Sequence, residues 1–461
     1  MPADNNTQPE LNQVSHDAIA YAKFLVPSAL GALLFLVPFN VDGVTKVLLG
    51  VIAGWINSSS GEYMRTFCAF VFVSSAIITP VYTLGPAALR KRFKSLSHVF
   101  EVGPFAVLMR VAGGLFCAMT FLQIGPQWII GADTGGTAYF TIAAIIFCLI
   151  GTGAMLMPLL TDYGLLEFIG TLLRPFFQKV FGLPGRSTID ALASWVGSSS
   201  IAVLVTSRQY EGGFYTAREA AVIATNFSVV SVPFVFLIAN VAGIGEHGGT
   251  LYAAMVIIGV ICALITPRLP PLSRMPNQYY APVGQQIKEQ AITGVSTLQW
   301  AKHEALQRAA SGPSLKDMLR SGVTTTFDLF FAMMPVAMTI EFFALAVYYH
   351  TDILHVLTLP LVPVLELLAV PEAAAAAPGL VIGFLDQFVP AIIAGNIASP
   401  ITSFVLAGLS VTQLIFMAET GVLIYRSKIP LPILSLAAVF VIRTIIALPI
   451  LAAIAHWQLA A

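Results

Sequence analysis

Long apolar runs separated by short polar segments dominate the chain. A helix needs about 20 apolar residues to cross a hydrocarbon core about 30 Å thick, and most of the runs approach or exceed this length. A shorter run over 44–56 lies between Lys46 and Asn57, and we interpret it as an interfacial helix because it is too short to cross. The runs that predict membrane spans cover residues 22–39, 63–84, 104–124, 138–160, 187–207, 217–242, 250–267, 323–348, 353–370, 379–398, 400–425 and 431–455.

Two of these runs carry small and polar residues where an ordinary span carries Leu and Val. The first interruption reads WVGSSSIAVLVTS over 195–207, and the second reads LDQFVPAIIAGNIASP over 385–400. Backbone groups released from helical hydrogen bonding at bilayer depth are tolerated only inside protein or facing a water-filled cavity. Paired interruptions in corresponding halves are typical of transporters, whose solute sites lie at broken helices. The pattern therefore favours a transport function.

Composition supports a membrane protein and argues against several other classes. Hydrophobic residues make up 57% of the 461 residues and charged residues only 10%, against about 25% charged in soluble domains. We predict an all-α polytopic helical bundle, because the short alternating strands of an outer-membrane barrel do not occur. The net charge is zero, so no basic surface for nucleic acid is expected. No phosphate-binding loop, nucleophile motif or His/Cys ligand spacing occurs, which argues against an enzyme, a metal site and a bound cofactor.

The positively charged loops predict how the chain is oriented. Lys and Arg concentrate in RKRFK over 90–94 and in the polar stretch 268–320, and such loops mark the cytoplasmic side. An even number of crossings must then separate the two loops, whereas an odd number of apolar runs lies between them. Either 187–207 enters and leaves on one side, or 164–182 adds a crossing. Gly197 and the serines that follow it favour the re-entrant alternative.

The order of sequence features indicates an internal repeat. Each half contains Leu-Pro or Val-Pro pairs, then an interrupted run, then a further polar tripeptide, at 224–226 in the first half and at 418–420 in the second. The domains that this predicts are a disordered polar tail over 1–17, N-terminal transmembrane helices over 18–135, a first repeat over 136–267, a cytoplasmic linker over 268–320 and a second repeat over 321–461.

Polar groups at membrane depth define a candidate site, since each is costly there unless it is paired or faces water. We expect a break near Pro390 to turn the side chains of Asp386 and Asn396 toward one cavity. The alternative is that these groups form interhelical hydrogen bonds that hold the bundle together. Glu419 is the candidate for coupling to H⁺ or Na⁺, because a desolvated carboxylate can bind a proton. The predicted solute-binding residues are Ser198, Ser199, Ser200, Asn226, Asp386, Gln387 and Asn396, and the other ionisable residues within the runs include Asp190, Asp328 and Glu341.

Two stretches of the chain resemble the nucleoside-recognition, or Gate, domain, in particular the YjiH-like proteins of the bacterial inner membrane. The resemblance rests on 190–233, with WVGSSS over 195–200 and EAAVIATN over 219–226, and on a second copy over 371–430. It implies a transporter-like core of two Gate repeats, a domain type also found in ferrous-iron permeases and, more distantly, in concentrative nucleoside carriers. The chain departs from the iron permeases, since it carries no GTPase domain and no cysteine in either interruption.

Together these features predict a secondary transporter of a small polar solute, nucleoside-like or similar to an amino acid or peptide, in the bacterial inner membrane. The interrupted helices would form a site near the midplane, and one repeat would rock against the other. The alternative is a non-transporting scaffold subunit whose Gate repeats hold another membrane protein. The expected partners are the lipid bilayer, the solute and either a second copy of the chain or another membrane protein, with no nucleic acid and no cofactor beyond a coupling ion, H⁺ or Na⁺.

Overall fold

Helices make up almost all the regular structure of the described residues. The structure, a computed structural model, describes residues 18–41, 43–196, 199–286 and 296–459. The predicted disordered tail over 1–17 and the predicted site residue Ser198 lie outside the described residues. One antiparallel hairpin of β1 (Pro38–Val41) and β2 (Val44–Val47) is the exception within the described ranges. The predicted all-α class is confirmed.

The N-terminal third is built from long apolar helices joined by short ones. Helices α3 (Glu62–Leu84) and α6 (Pro104–Leu122) pack along each other, and Gly114 on α6 allows this approach because a Cβ there would lie 2.8 Å from the carbonyl oxygen of Phe72. Small residues at such contacts let membrane helices approach closely. The helices of this third are α1 (Ala18–Phe35), α2 (Leu48–Ser60), α3 (Glu62–Leu84), α4 (Ala87–Arg92), α5 (Ser97–Phe100), α6 (Pro104–Leu122) and α7 (Gln127–Ile130).

The remaining helices fall before and after the polar central stretch. Those before it are α8 (Ala143–Leu156), α9 (Pro158–Thr161), α10 (Leu165–Phe176), α11 (Ser187–Val196), α12 (Ser199–Glu211), α13 (Ala217–Asn226), α14 (Val232–Val241) and α15 (Gly248–Ile265). Those from the central stretch onward are α16 (Thr297–Ala310), α17 (Leu315–Asp328), α18 (Met334–His350), α19 (Ile353–Thr358), α20 (Val362–Leu367), α21 (Ala373–Ile382), α22 (Phe388–Gly395), α23 (Pro400–Thr412), α24 (Thr420–Arg426) and α25 (Ile433–Leu459).

Some helical segments depart from α geometry. The π-helical segment Leu329–Met333 joins α17 to α18, and the looser π turn leaves carbonyl groups in need of other donors. Ser75 donates to the carbonyl of Phe331 at 3.1 Å, and the buried guanidinium of Arg110 donates to that of Ala332 at 2.9 Å. The other π segments are Ala132–Ile142 and Phe177–Phe181, and the 3₁₀ turns are Lys94–Leu96, Gly245–His247, Thr266–Arg268, Leu272–Arg274 and Leu359–Leu361.

The central polar stretch contains a helix that is docked on the first half of the chain. Helix α16 begins with a capping box, in which Ser296 and Gln299 each bond the other's backbone amide, an arrangement that satisfies two unpaired N–H groups at a helix start. The helix packs on α1 and α10. Its Arg308 lies 2.8 Å from Asp162 and 3.4 Å from Glu167, so part of the predicted linker is fixed in place.

Seven helices among the described residues are long and apolar enough to cross a membrane. Each overlaps a predicted span, whereas the predicted continuous spans over 217–242 and 400–425 are wrong, because α13 ends before 227 and α23 ends before 413. Pro233 lies in the first turn of α14, and Leu414 has a left-handed φ of 62°. The seven helices are Ala18–Phe35, Glu62–Leu84, Pro104–Leu122, Gln127–Thr161, Gly245–Arg268, Leu315–His350 and Ile433–Leu459.

The same order of helices occurs twice along the chain. A broken pair α11/α12, a second broken pair α13/α14 and the long α15 are followed later by α21/α22, α23/α24 and the long α25. Helix α12 packs against α24, α14 packs against α22, and α15 packs against α25. Each repeat therefore contacts the other through its broken helices. The predicted domain boundaries stay a prediction.

Candidate functional site

Two helix breaks of the second repeat lie against each other. The segment 383–387 separates α21 from α22, and the segment 413–419 separates α23 from α24. The amides of Met417 and Ala418 donate to carbonyl groups in the first break, each at 2.8 Å. Backbone groups that have left their helices are thus satisfied within the protein, as burial in a membrane protein requires.

The breaks of the first repeat are arranged in a similar way. Helix α11 ends at Val196 and α12 begins at Ser199, on either side of residues outside the described part of the chain, and a break covers 227–231 between α13 and α14. The hydroxyl of Ser194, near the end of α11, donates to the carbonyl of Val229 in the second of these breaks at 2.9 Å. Ser231 then begins α14 as its N-cap residue. In both repeats, hydrogen bonds link one broken pair to the other.

The break over 227–231, both breaks of the second repeat and the start of α12 reach one cavity of about 110 Å³, which is room for several water molecules. Ser231, Gln387 and Glu419 each come from one of these breaks, and Ser199 is the first residue of α12. Much of the remaining wall is apolar and comes from α8, from the π-helical segment Leu329–Met333 and from the start of α18. Methionine side chains adapt readily to differently shaped contacts, and those in the wall are Met157, Met333, Met334 and Met338.

Glu419 is the centre of the polar wall. Its Oε1 accepts hydrogen bonds from the hydroxyls of Ser199 at 2.6 Å and Ser200 at 2.5 Å, and its Oε2 lies 3.4 Å from the donor Nε2 of Gln387. The two serines are the first residues of α12, whose N-terminal end carries partial positive charge. A carboxylate from the second repeat is therefore bound at a helix start of the first repeat.

Asp386 and Gln387 lie side by side in the wall at the start of α22. The Oδ1 of Asp386 accepts a hydrogen bond from the amide of Phe388 at 2.7 Å. The carbonyl of Gln387 accepts one from the hydroxyl of Ser410 at 2.7 Å. Both side chains are buried yet line the cavity, so the second interruption holds one carboxylate and one amide at fixed positions facing it.

Asn226 belongs to a buried joint between the two repeats. Its Oδ1 accepts hydrogen bonds from Thr266 at 2.7 Å and from the guanidinium of Arg443 at 2.9 Å. The same guanidinium donates to the carbonyl of Thr412, with its Nε at 3.0 Å. Asn226 ends α13 and Thr412 ends α23, so one arginine on α25 bonds at two helix ends. These contacts fit the predicted alternative of interhelical bonding.

Asn396 lies at the other end of α22 from Asp386. The expected break near Pro390 is wrong, because α22 runs without interruption over Phe388–Gly395, and the first turn of a helix tolerates proline. Asn396 is exposed and donates to the hydroxyl of Tyr349 at 3.0 Å. The breaks instead flank the helix, so the structure does not bring Asp386 and Asn396 together.

Three other ionisable residues of the apolar runs have distinct surroundings. Asp190 accepts a hydrogen bond from the hydroxyl of Tyr215 at 2.6 Å, and Asp328 lies 2.8 Å from the ring of His98. Glu341 is fully buried on α18, and neither of its carboxylate oxygens has a hydrogen-bond partner among the described residues. The sequence identified Glu341 as ionisable but did not assign it to the site.

The comparisons with known proteins agree with the predicted resemblance. The Gate domain model, described as nucleoside recognition, matches residues 136–245. An uncharacterized protein of Alkalihalophilus pseudofirmus is 42% identical over 434 residues, which cover 94% of each chain. No solved structure matches the chain. The chain therefore belongs to the same family as that relative, carries a Gate (nucleoside recognition) domain over 136–245, and has the apolar spanning helices of a multi-pass membrane protein.

Proposed function

We propose that the protein is a secondary transporter of a small polar solute across the bacterial inner membrane, and that the cavity is its solute site. The observation that supports this most is that the start of α12 and the break over 227–231 in the first repeat meet both breaks of the second repeat at one cavity. Broken helices at a repeat interface supply free backbone groups and helix ends to a solute, while movement of one repeat against the other alternates access. Gate domains are of a transporter type.

The charge of the wall supports a neutral or positively charged solute. Asp386 and Glu419 line the cavity, whereas no Lys, Arg or His is among its described lining residues. A negatively charged solute would meet like charge in a region of low dielectric constant, where repulsion is strong. Nucleosides are the first class to test because the family description names nucleoside recognition. Amino acids and peptides with a free amine are the second.

The test begins with purified protein. A thermal-shift screen against nucleosides, amino acids and dipeptides selects the solute, because a ligand that binds the folded state raises the unfolding temperature. Uptake of that solute is then measured in proteoliposomes. Wild-type protein that binds and transports none of these classes would favour the scaffold alternative.

The variant Asp386→Asn should reduce uptake about tenfold or more. Loss of a hydrogen bond to a charged group is worth about 1.5–3 kcal/mol, and 1.4 kcal/mol corresponds to a factor of ten. Asp352→Asn is the matched control, because Asp352 is exposed in the loop before α19. Normal uptake by correctly folded Asp386→Asn protein would contradict the assignment of the site.

A further inference from the structure

Glu341 is not among the residues that line the cavity, and its carboxylate differs from those of Asp386 and Glu419 in having no hydrogen-bond partner among the described residues. It is 0% exposed, and both Oε atoms lack a donor among the residues that the structure describes. Glu419, by contrast, accepts bonds from two serine hydroxyls and lies near a glutamine amide. A buried ionised carboxylate without donors is very costly, whereas a protonated carboxyl carries no net charge. The surroundings of Glu341 therefore suit the protonated form.

The position of Glu341 places it next to the cavity. Ala337 and Met338 line the cavity from α18, and residues three and four positions apart lie on the same face of a helix. Glu341 follows them by one turn on that face. Helix α18 packs against α22, and Asp386, which stands just before α22, lines the cavity together with Glu419. The three acids thus lie on elements that meet around the cavity.

The other titratable groups around Glu341 do not supply a positive charge to pair with it. Tyr139 from the π-helical segment Ala132–Ile142 stacks on Phe342, with ring centroids 5.7 Å apart, and its hydroxyl lies near the side chain of Thr339 on α18. Cys117 on α6 is buried near Tyr139. Arg110, also on α6, donates instead to the carbonyl of Ala332, before α18 begins.

We propose that Glu341 is a proton-binding residue, which takes up H⁺ as its carboxylate becomes a carboxyl and returns H⁺ toward the cavity that Asp386 and Glu419 line. The described residues contain no group of three or more His, Cys, Asp or Glu side chains that could hold a metal ion. A single carboxylate, by contrast, binds a proton without any further ligand. The role of this proton in driving transport rests on the proposed function, whereas its binding at Glu341 does not.

The binding of the proton can be measured without any solute. A protonated carboxyl group gives its own carbonyl stretch in the infrared spectrum, and this band shifts in heavy water. Wild-type protein in lipid should show such a band at neutral pH, and Glu341→Gln should lose it. Glu366→Gln, which removes an exposed glutamate on α20, should keep it. A Glu341→Gln spectrum identical to that of the wild type would overturn the proposal.

A second variant keeps the test valid if Glu341→Gln fails to fold. Glu341→Asp retains a carboxyl group at this position but shortens the side chain by one methylene group. It should retain a protonated-carboxyl band at a shifted frequency. An unshifted band in folded Glu341→Asp protein would assign the proton to another residue and contradict the proposal.

The coupling role is tested with uridine as the probe solute in proteoliposomes. An imposed H⁺ gradient should drive accumulation by the wild type, whereas Glu341→Gln should lose accumulation and keep exchange of internal for external uridine. Accumulation driven by a Na⁺ gradient and insensitive to a protonophore would contradict a coupling role for H⁺. If the wild type moves no uridine under either gradient, nucleoside transport fails as a function, and the infrared measurement still decides whether Glu341 binds a proton.

Discussion

Gln387 and Asn396 carry the same amide group but have different surroundings. Gln387 lines the cavity and approaches Glu419, whereas Asn396 is exposed and bonds to Tyr349. We expect Gln387→Ala to weaken solute binding by about 1 kcal/mol or more, the usual worth of one hydrogen bond, and Asn396→Ala to leave binding unchanged. Isothermal titration with the solute selected by the thermal-shift screen measures both. Equal losses in the two variants would place Asn396 in the site as well.

The sequence indicated which residues could form a polar site better than it indicated where each of them lies in the structure. Ser199, Ser200, Asp386, Gln387 and Glu419 were predicted as site or coupling residues, and the structure gathers them around the cavity. Their roles stay predictions. The sequence could not show that Asn226 bonds to Arg443 and does not line the cavity, because Arg443 lies on a helix far away in the sequence. Likewise, an apolar run reveals a glutamate such as Glu341, but only the packed structure reveals that its oxygens lack donors.

The interrupted stretches of the apolar runs differ in how clearly their residue composition reveals them. The interruptions near 197–200 and 383–387 contain Gly, Ser, Asp and Gln among apolar residues, so composition revealed them. The breaks over 227–231 and 413–419 are mostly apolar and read as parts of continuous spans. Hydrogen bonds to other segments, such as the one from Ser194 to Val229, satisfy the backbone there. The hydropathy of a segment does not show which residues elsewhere in the chain will form these hydrogen bonds.

Gly395 controls how closely α22 approaches α14. A Cβ at this position would lie 2.6 Å from the carbonyl oxygen of Val241, at the end of α14, and a backbone atom cannot move away cheaply. We expect Gly395→Ala to reduce the free energy of unfolding by about 1–3 kcal/mol, the usual cost of overpacking. Thermal unfolding in detergent measures this.

The matched control for this variant is Gly259→Ala. Gly259 lies within α15, and a Cβ there would have no heavy atom within 4 Å. Alanine also has the higher helix propensity, so this variant should be as stable as the wild type or more so. Similar unfolding temperatures for the two variants would show that contact between α14 and α22 is not limited by Gly395.

Arg443 holds the two repeats together, because it bonds at the end of α13 in the first repeat and at the end of α23 in the second. Its guanidinium bonds to Asn226 and to the carbonyl of Thr412 while fully buried. We expect Arg443→Met to reduce the free energy of unfolding by about 2 kcal/mol or more, because buried acceptors would lose their charged donor. Thermal unfolding is again the measurement, with Arg426→Met as the control for loss of an exposed arginine. If both variants unfold at the same temperature, this joint does not stabilise the bundle.

The membrane explains why the fold class was predictable and the arrangement of the helices was not. Because a bilayer offers no hydrogen bonds, a long apolar run must form a helix, and runs such as 63–84 and 431–455 coincide closely with α3 and α25. The packing of α12 on α24 and of α14 on α22 depends on shape and on individual polar contacts. Apolar helix surfaces look alike in sequence, so these pairings could not be predicted.

The bond between Glu419 and the start of α12 has a consequence for solute binding. The carboxylate accepts from Ser199 and Ser200 across the boundary between the repeats, so this acceptor already has donors. A solute that binds at Glu419 must replace these bonds and offer donors of its own to the carboxylate in exchange. We therefore expect such a solute to loosen the contact between the two repeats as it binds.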